Sequence, residues 1–133
     1  MLGLFLRKKI LLVEDSESLS KAVLFKLKTS GYKVLIARSY EEAIDVLDKY
    51  KRGIKAVWLD HWLHGKKTGL DVLQYIKSQD DLKDMLVFVV SSSGDEWSQM
   101  YQDLGVTKYF VKSDYLMSTI LKEIQSYIDR DDT

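Results

Sequence analysis

Four strand-like runs in this chain end in side chains of complementary chemistry. Lys9 to Val13 leads into Glu14 and Asp15, and Lys55 to Leu59 leads into Asp60. Leu86 to Val90 leads into Ser91, and Thr107 to Val111 into Lys112. Three carboxylates brought together repel one another, and they ionise jointly at neutral pH only beside a cation. A few hard oxygen donors of this kind suit Mg²⁺, which keeps several waters and pairs with phosphate oxygens. An ammonium and a hydroxyl next to it would complete a receptor for a tetrahedral oxyanion. A carboxylate in such a place can attack phosphorus and form an acyl phosphate. Taken singly, each group has a plainer explanation. Glu14-Asp15 suits a helix start, Asp60 and the serines suit turns, and Lys112 suits a surface. Their joint placement carries the argument.

That placement depends on the elements between them. Four apolar residues, Ala56 to Leu59, run straight into Asp60, as expected of a strand buried on both faces. After Asp15, Ser16 offers a helix cap, and Leu19, Ala22, Val23 and Leu27 share a helical face that Gly31 terminates. Tyr32 to Ala37 reads as a strand. Ser39 with Glu42 forms a capping box ahead of Ala43, Val46, Leu47 and Tyr50. Beyond Asp60 lies a loop with His61, His64, Gly65 and Gly69, then a helix marked by Leu70, Leu73 and Ile76. Trp97, Met100, Tyr101 and Leu104 describe a short amphipathic helix. A last helix, capped by Ser113 or Asp114, turns Met117, Ile120, Leu121, Ile124 and Ile128 inward.

Strand and helix thus alternate five times, which implies a doubly wound α/β fold with five parallel strands and helices on both faces. In the order 2-1-3-4-5, strands one and three flank the topological switch point, and the carboxyl edge of the sheet gathers all the groups named above. The 133 residues suit a single domain, with its core at about 9–128.

Composition narrows the alternatives. Lys+Arg and Asp+Glu are 20 each, so no basic excess points to nucleic acid. The absence of cysteine excludes disulfides and thiolate chemistry, and two histidines make a His-rich metal site a poor expectation. The apolar start Met1 to Leu6 precedes its basic residues, the reverse of a signal peptide, and no run reaches membrane-spanning length. A cytoplasmic protein with no membrane or nucleic-acid partner is the expectation.

At this point the chain resembles the receiver domains of two-component response regulators, of which the chemotaxis regulator is the single-domain form. The resemblance runs from about Lys9 to about Ile128. It rests on Leu12-Val13-Glu14-Asp15, Trp58-Leu59-Asp60, Val89-Val90-Ser91 and Tyr109-Phe110-Val111-Lys112. It implies a flavodoxin-like receiver fold in which Asp60 accepts a phosphoryl group from a sensor histidine kinase or phosphotransfer protein. Asp15 and Asp60 would ligate Mg²⁺, with Glu14 acting through water and the backbone carbonyl of Trp62 adding a ligand. Ser91 and Lys112 would bind phosphoryl oxygens, Tyr109 would turn inward as Ser91 moves, and Trp62 and Ser93 would tune the lifetime of the phosphorylated form. The surface of helix 4, strand 5 and helix 5 would then change for a downstream protein, or for a second copy in a homodimer. The protein would catalyse only its own phosphorylation and dephosphorylation.

Two positions depart from the family pattern. His64 stands where a proline is usual, in a loop about one residue longer, and Ser113 stands where a cis proline usually follows the lysine; a cis Lys112–Ser113 bond is still expected. The rival readings are a degenerate receiver serving only as an interaction module, a Mg²⁺-dependent phosphatase and a flavin binder. The complete set of Asp15, Asp60, Ser91 and Lys112 speaks against the first. Asp15-Ser16-Glu17 lacks the second aspartate two residues on that the phosphatases carry. The acidic Glu14 to Glu17 turn would repel a flavin phosphate. The chain ends soon after its fifth helix, so a stand-alone regulator or a piece of a longer one is expected.

Overall fold

Ten elements alternate along the chain in a computed structural model that describes residues 8–92, 95–112 and 115–131. They are β1 (Lys9–Val13), α1 (Glu17–Thr29), β2 (Lys33–Ala37), α2 (Tyr40–Tyr50) and β3 (Ile54–Leu59). These are followed by α3 (Gly69–Ser78), β4 (Leu86–Ser91), α4 (Asp95–Asp103), β5 (Lys108–Val111) and α5 (Met117–Asp131). The strands form one parallel sheet in the order β2-β1-β3-β4-β5. This is the expected doubly wound fold.

Side-chain alternation along each strand divides the interior into two layers. Ile10, Leu12, Ala56, Trp58, Phe88, Val90 and Phe110 face α1 and α5, meeting Val23, Leu27, Ile120, Ile124 and Ile128. Leu11, Val13, Val57, Leu59, Val87 and Val89 face α2, α3 and α4, meeting Ala43, Leu47, Leu73, Ile76 and Tyr101. Burial on both faces is why these strands read as apolar runs instead of alternating ones.

The helix signals largely hold. Ser16 caps α1 by accepting from the Leu19 N–H, and Ser39 caps α2 by accepting from the Glu42 N–H at 3.1 Å. Gly31, at φ 95°, ends α1 in the left-handed conformation that a side chain resists. Three expected inward residues turn out, one of them Tyr50 at the end of α2, which is 46% exposed. In α1 the buried line is Ser20, Val23 and Leu27, leaving Ala22 exposed. In α4, Trp97, Tyr101 and Leu104 keep the i, i+4, i+7 spacing of one stripe and pack inward, whereas Met100 is rotated off it and is half exposed. The cap expected at Ser113 or Asp114 lies outside the described residues. Among those described, no helix is long and apolar enough to cross a membrane.

Candidate functional site

Register brings the candidate groups to one edge. Val13 pairs with Leu59, Leu59 with Val89, and Ser91 with Val111, so the residues that follow leave the sheet side by side. The ladder continues one step further, because the Asp60 N–H donates to the Val13 carbonyl at 2.9 Å. Glu14, Asp15 and Asp60 each offer a carboxylate oxygen, and these oxygens all lie within 4.8 Å of one another. Glu14 and Asp60 are buried and Asp15 is exposed, which leaves the cluster open to solvent on one side. Lys112 reaches in from the end of β5, its Nζ donating to Glu14 Oε1 at 3.2 Å and standing 3.6 Å from Asp60 Oδ2. Ser91 is buried at the end of β4.

Two backbone donors orient the acids. Glu14 Oε2 accepts from the Ser16 N–H at 3.2 Å, and Asp60 Oδ1 accepts from the His61 N–H at 2.8 Å. Burial, followed by the neighbouring Glu14 charge, pushes the Asp60 carboxyl up to about 7, while Lys112 pulls in the opposite direction. One ammonium is therefore too little positive charge for this many carboxylates in so small a space. The donor set of hard oxygens, partly open and short of positive charge, fits a divalent metal.

The remaining candidates fall around this centre. Tyr109 lies on β5, half-buried, its ring 5.5 Å from that of Tyr101. Trp62 follows the site in the β3–α3 loop and is 49% exposed, its ring against His61 and Trp97. Ser93 and the Lys112–Ser113 bond lie outside the described residues. His64 donates its N–H to the Arg38 carbonyl at 3.1 Å, a contact that a proline there could not make.

Two residues beside the site, His61 and Gly69, hold positions that the sequence does not announce. His61 lies in the loop as expected but is fully buried, its Nδ1 2.7 Å from the Tyr101 hydroxyl and its ring stacked on Trp97. Burial holds its imidazole below the ordinary histidine range, hence neutral at pH 7. Gly69, expected in the loop, instead begins α3, where a Cβ would stand 2.5 Å from the Asp60 carbonyl oxygen and 2.6 Å from the Tyr101 hydroxyl. In the sequence, the trace of the histidine contact is Trp97 and Tyr101 standing one helical turn apart; nothing there links them to His61.

Comparison with known proteins agrees with this geometry. A family profile described as a cyclic-phosphate processing receiver domain matches residues 9–105. Response regulator RR06 of Streptococcus pneumoniae is 31% identical over 127 residues, covering 91% of this chain and 53% of its own length. The phosphorylated cyanobacterial phytochrome response regulator RcpA is 31% identical with a TM-score of 0.75, covering 91% of each chain. The Mn²⁺-bound response regulator Rcp1 is 34% identical with a TM-score of 0.73, covering 90% of each chain. The chain spans about half, or less, of the longer curated relatives it matches. Sheet order, the acid cluster with its lysine, and these likenesses lead to one conclusion: the chain belongs to the receiver-domain family of response regulators.

Proposed function

We propose that the chain is a phosphoaccepting receiver, with Asp60 taking a phosphoryl group from a histidine-phosphorylated kinase or phosphotransfer protein. The observation that carries this is Asp60 itself, a buried carboxylate at the end of β3 with Lys112 Nζ 3.6 Å away and two further acids alongside. An Asp60 oxygen forms the new bond to phosphorus, the phosphorus–nitrogen bond breaks, and the donor imidazole leaves with a proton. Lys112 favours the ionised acceptor and then faces the phosphoryl oxygens, which Ser91 meets from β4. Asp15 and Asp60 would hold Mg²⁺ directly, Glu14 through water and Trp62 by its carbonyl. Bound there, the metal supplies charge neutralisation to the transferring group. Phosphorylation adds a charge of about −1.5 to −2 at this edge. Ser91 and Tyr109 would follow that charge and alter the α4, β5 and α5 surface that a target or a second copy reads. Trp62, which is half exposed, would set the lifetime together with Ser93, so Trp62→Ala is expected to hasten dephosphorylation.

The test is intact mass after incubation with a small-molecule phosphodonor, with and without Mg²⁺, on the parent and on Asp60→Asn. A Mg²⁺-dependent gain of one phosphoryl group that the variant lacks is expected. No gain on folded parent protein would favour the interaction-module reading.

A second reading draws on the description of the matching profile, which names cyclic-phosphate processing. The observation on its side is a buried imidazole immediately after Asp60. Under this reading the same acids and Lys112 would hold a cyclic phosphodiester, and water would add to phosphorus as one ring P–O bond opens. Incubation with 2′,3′- and 3′,5′-cyclic nucleotides, followed by chromatography, decides it. Ring-opened product that is lost in Asp60→Asn supports this reading, and unchanged nucleotide removes it.

A further inference from the structure

His61 is where the β3–α3 loop and α4 meet. Two residues one turn apart on α4 hold its ring from two sides, since positions i and i+4 share a helix face. Trp97 stacks on the imidazole at 4.3 Å with 24° between the planes, and the Tyr101 hydroxyl shares a 2.7 Å hydrogen bond with Nδ1. The main chain of His61 meanwhile supports the candidate phosphoacceptor. Its N–H donates to Asp60 Oδ1 at 2.8 Å, and its carbonyl accepts from the Gly69 N–H at 2.8 Å. The space between these groups is so small that only a glycine fits at position 69. On its far side Tyr101 rests against Tyr109 of β5. Groups from the β3–α3 loop, α3, α4 and β5 therefore meet within one joint.

The docked arrangement carries two unsatisfied polar atoms. His61 Nε2 and Trp97 Nε1 are buried with no hydrogen-bond partner among the described residues. The choice of tautomer does not relieve this. If the Tyr101 hydroxyl donates to Nδ1, Nε2 is an orphan donor; if Nδ1–H donates to the hydroxyl, Nε2 is an orphan acceptor. Buried polar groups are nearly always paired, and an unpaired one loses its hydration without return. Moving α4 outward would return both atoms to water. The inward packing of Trp97, Tyr101 and Leu104, with one hydrogen bond and ring stacking, thus holds α4 down against the desolvation of two polar groups, which weakens its docking.

We propose that His61, Tyr101 and Trp97 form a latch that couples the phosphoacceptor loop to α4. While the latch is closed, α4 fixes the peptide whose N–H orients Asp60, which makes Tyr101 a positioning residue. A change at Asp60 that shifts the His61 main chain opens the latch and frees α4, independently of the route through Ser91 and Tyr109. The trigger rests on the phosphoacceptor reading, whereas the latch itself does not. Because coupling is reciprocal, a partner that holds α4 outward would also alter the readiness of Asp60 to accept phosphate.

Hydrogen exchange of the full chain, followed by mass spectrometry, tests the latch on the parent, Tyr101→Phe, His61→Gln and the double variant. The unphosphorylated proteins decide whether it exists. Either single variant is expected to speed exchange of the α4 amides by roughly tenfold, the equivalent of one buried hydrogen bond, with β1 and β3 unchanged. The double variant should be no faster than either single one, since both remove the same bond. Unchanged α4 exchange, additive effects, or a rise across the whole sheet would overturn the latch. With phosphodonor and Mg²⁺, the parent should show faster α4 exchange and Tyr101→Phe no further change; an undiminished response in Tyr101→Phe would overturn the coupling. Intact mass of the same samples separates the two ideas. A parent that gains no phosphoryl group refutes the phosphoacceptor reading, and the latch is then judged on the unphosphorylated comparison.

Discussion

Asp60 carries the tension of the site in its proton affinity. Its carboxyl is raised to about 7 by burial and by Glu14, against an unfolded value of about 3.9. The folded state therefore binds more protons than the unfolded chain between those values. The stability tied to this proton is fully present below about pH 4 and is lost as pH rises through 7. An asparagine does not titrate, so in metal-free buffer Asp60→Asn should gain clearly more melting temperature over the parent at pH 8 than at pH 5. A tenfold change in proton affinity corresponds to about 1.4 kcal/mol, so a gain of several degrees is expected. Thermal unfolding of both proteins at the two pH values measures it, and equal differences would place the charge frustration elsewhere. Gly69 is constrained by space. Gly69→Ala pushes a methyl group against the Asp60 carbonyl oxygen and the Tyr101 hydroxyl, at hypothetical distances of 2.5 and 2.6 Å. Overpacking of this kind costs about 1–3 kcal/mol, read as a lower urea midpoint at unchanged slope, and the same variant should take up phosphate more slowly.

At the scale of elements, α3 begins with a device that joins the helix to the site. Thr68 Oγ1 accepts from the Leu70 N–H at 3.2 Å, and Asp71 Oδ2 accepts from the Thr68 N–H at 2.8 Å, closing a capping box immediately before Gly69. Thr68→Ala should cost about 1 kcal/mol in denaturant unfolding. Because the cap also fixes the end of the loop that carries His61, exchange at the first turn of α3 should rise with it. Caps at Ser16 and Ser39 were legible from the chain because serine sits directly before an apolar repeat. The box at Thr68 was hidden inside a loop that reads as glycine- and lysine-rich. The inward stripe of α4 was legible apart from Met100, since a four-residue pattern leaves the edge of a helical face undetermined to within about one position.

For the whole molecule, the proposed reading places the output on the face formed by α4, β5 and α5. Among the described residues Met100, Tyr115 and Leu116 are exposed there, Leu116 at 75%. If phosphorylation assembles two copies through this face, sedimentation should show a monomer before and a dimer after treatment with phosphodonor and Mg²⁺. Leu116→Asp should stay monomeric while still gaining the phosphoryl mass. A dimer indifferent to that change would use another surface.

Fold class and the acid–lysine set were legible in the sequence, whereas alternation alone does not fix the strand order that the sheet shows. Apolar runs of strand length that alternate with helical repeats permit little besides a doubly wound sheet, and the end of a strand is a position that pattern can locate. Asp60 could thus be singled out from four apolar residues running into a carboxylate, and Lys112 from a strand ending in a base. Only the tertiary structure decided that Glu14 is buried against Lys112 while its neighbour Asp15 faces solvent. It also decided that His61 is interior, held by Trp97 and Tyr101 from a helix some forty residues away. Periodicity reports which face of an element turns inward, because neighbours along a helix or strand share its geometry. Which side chains meet across elements depends on how two surfaces pack, and that information is spread over the whole core.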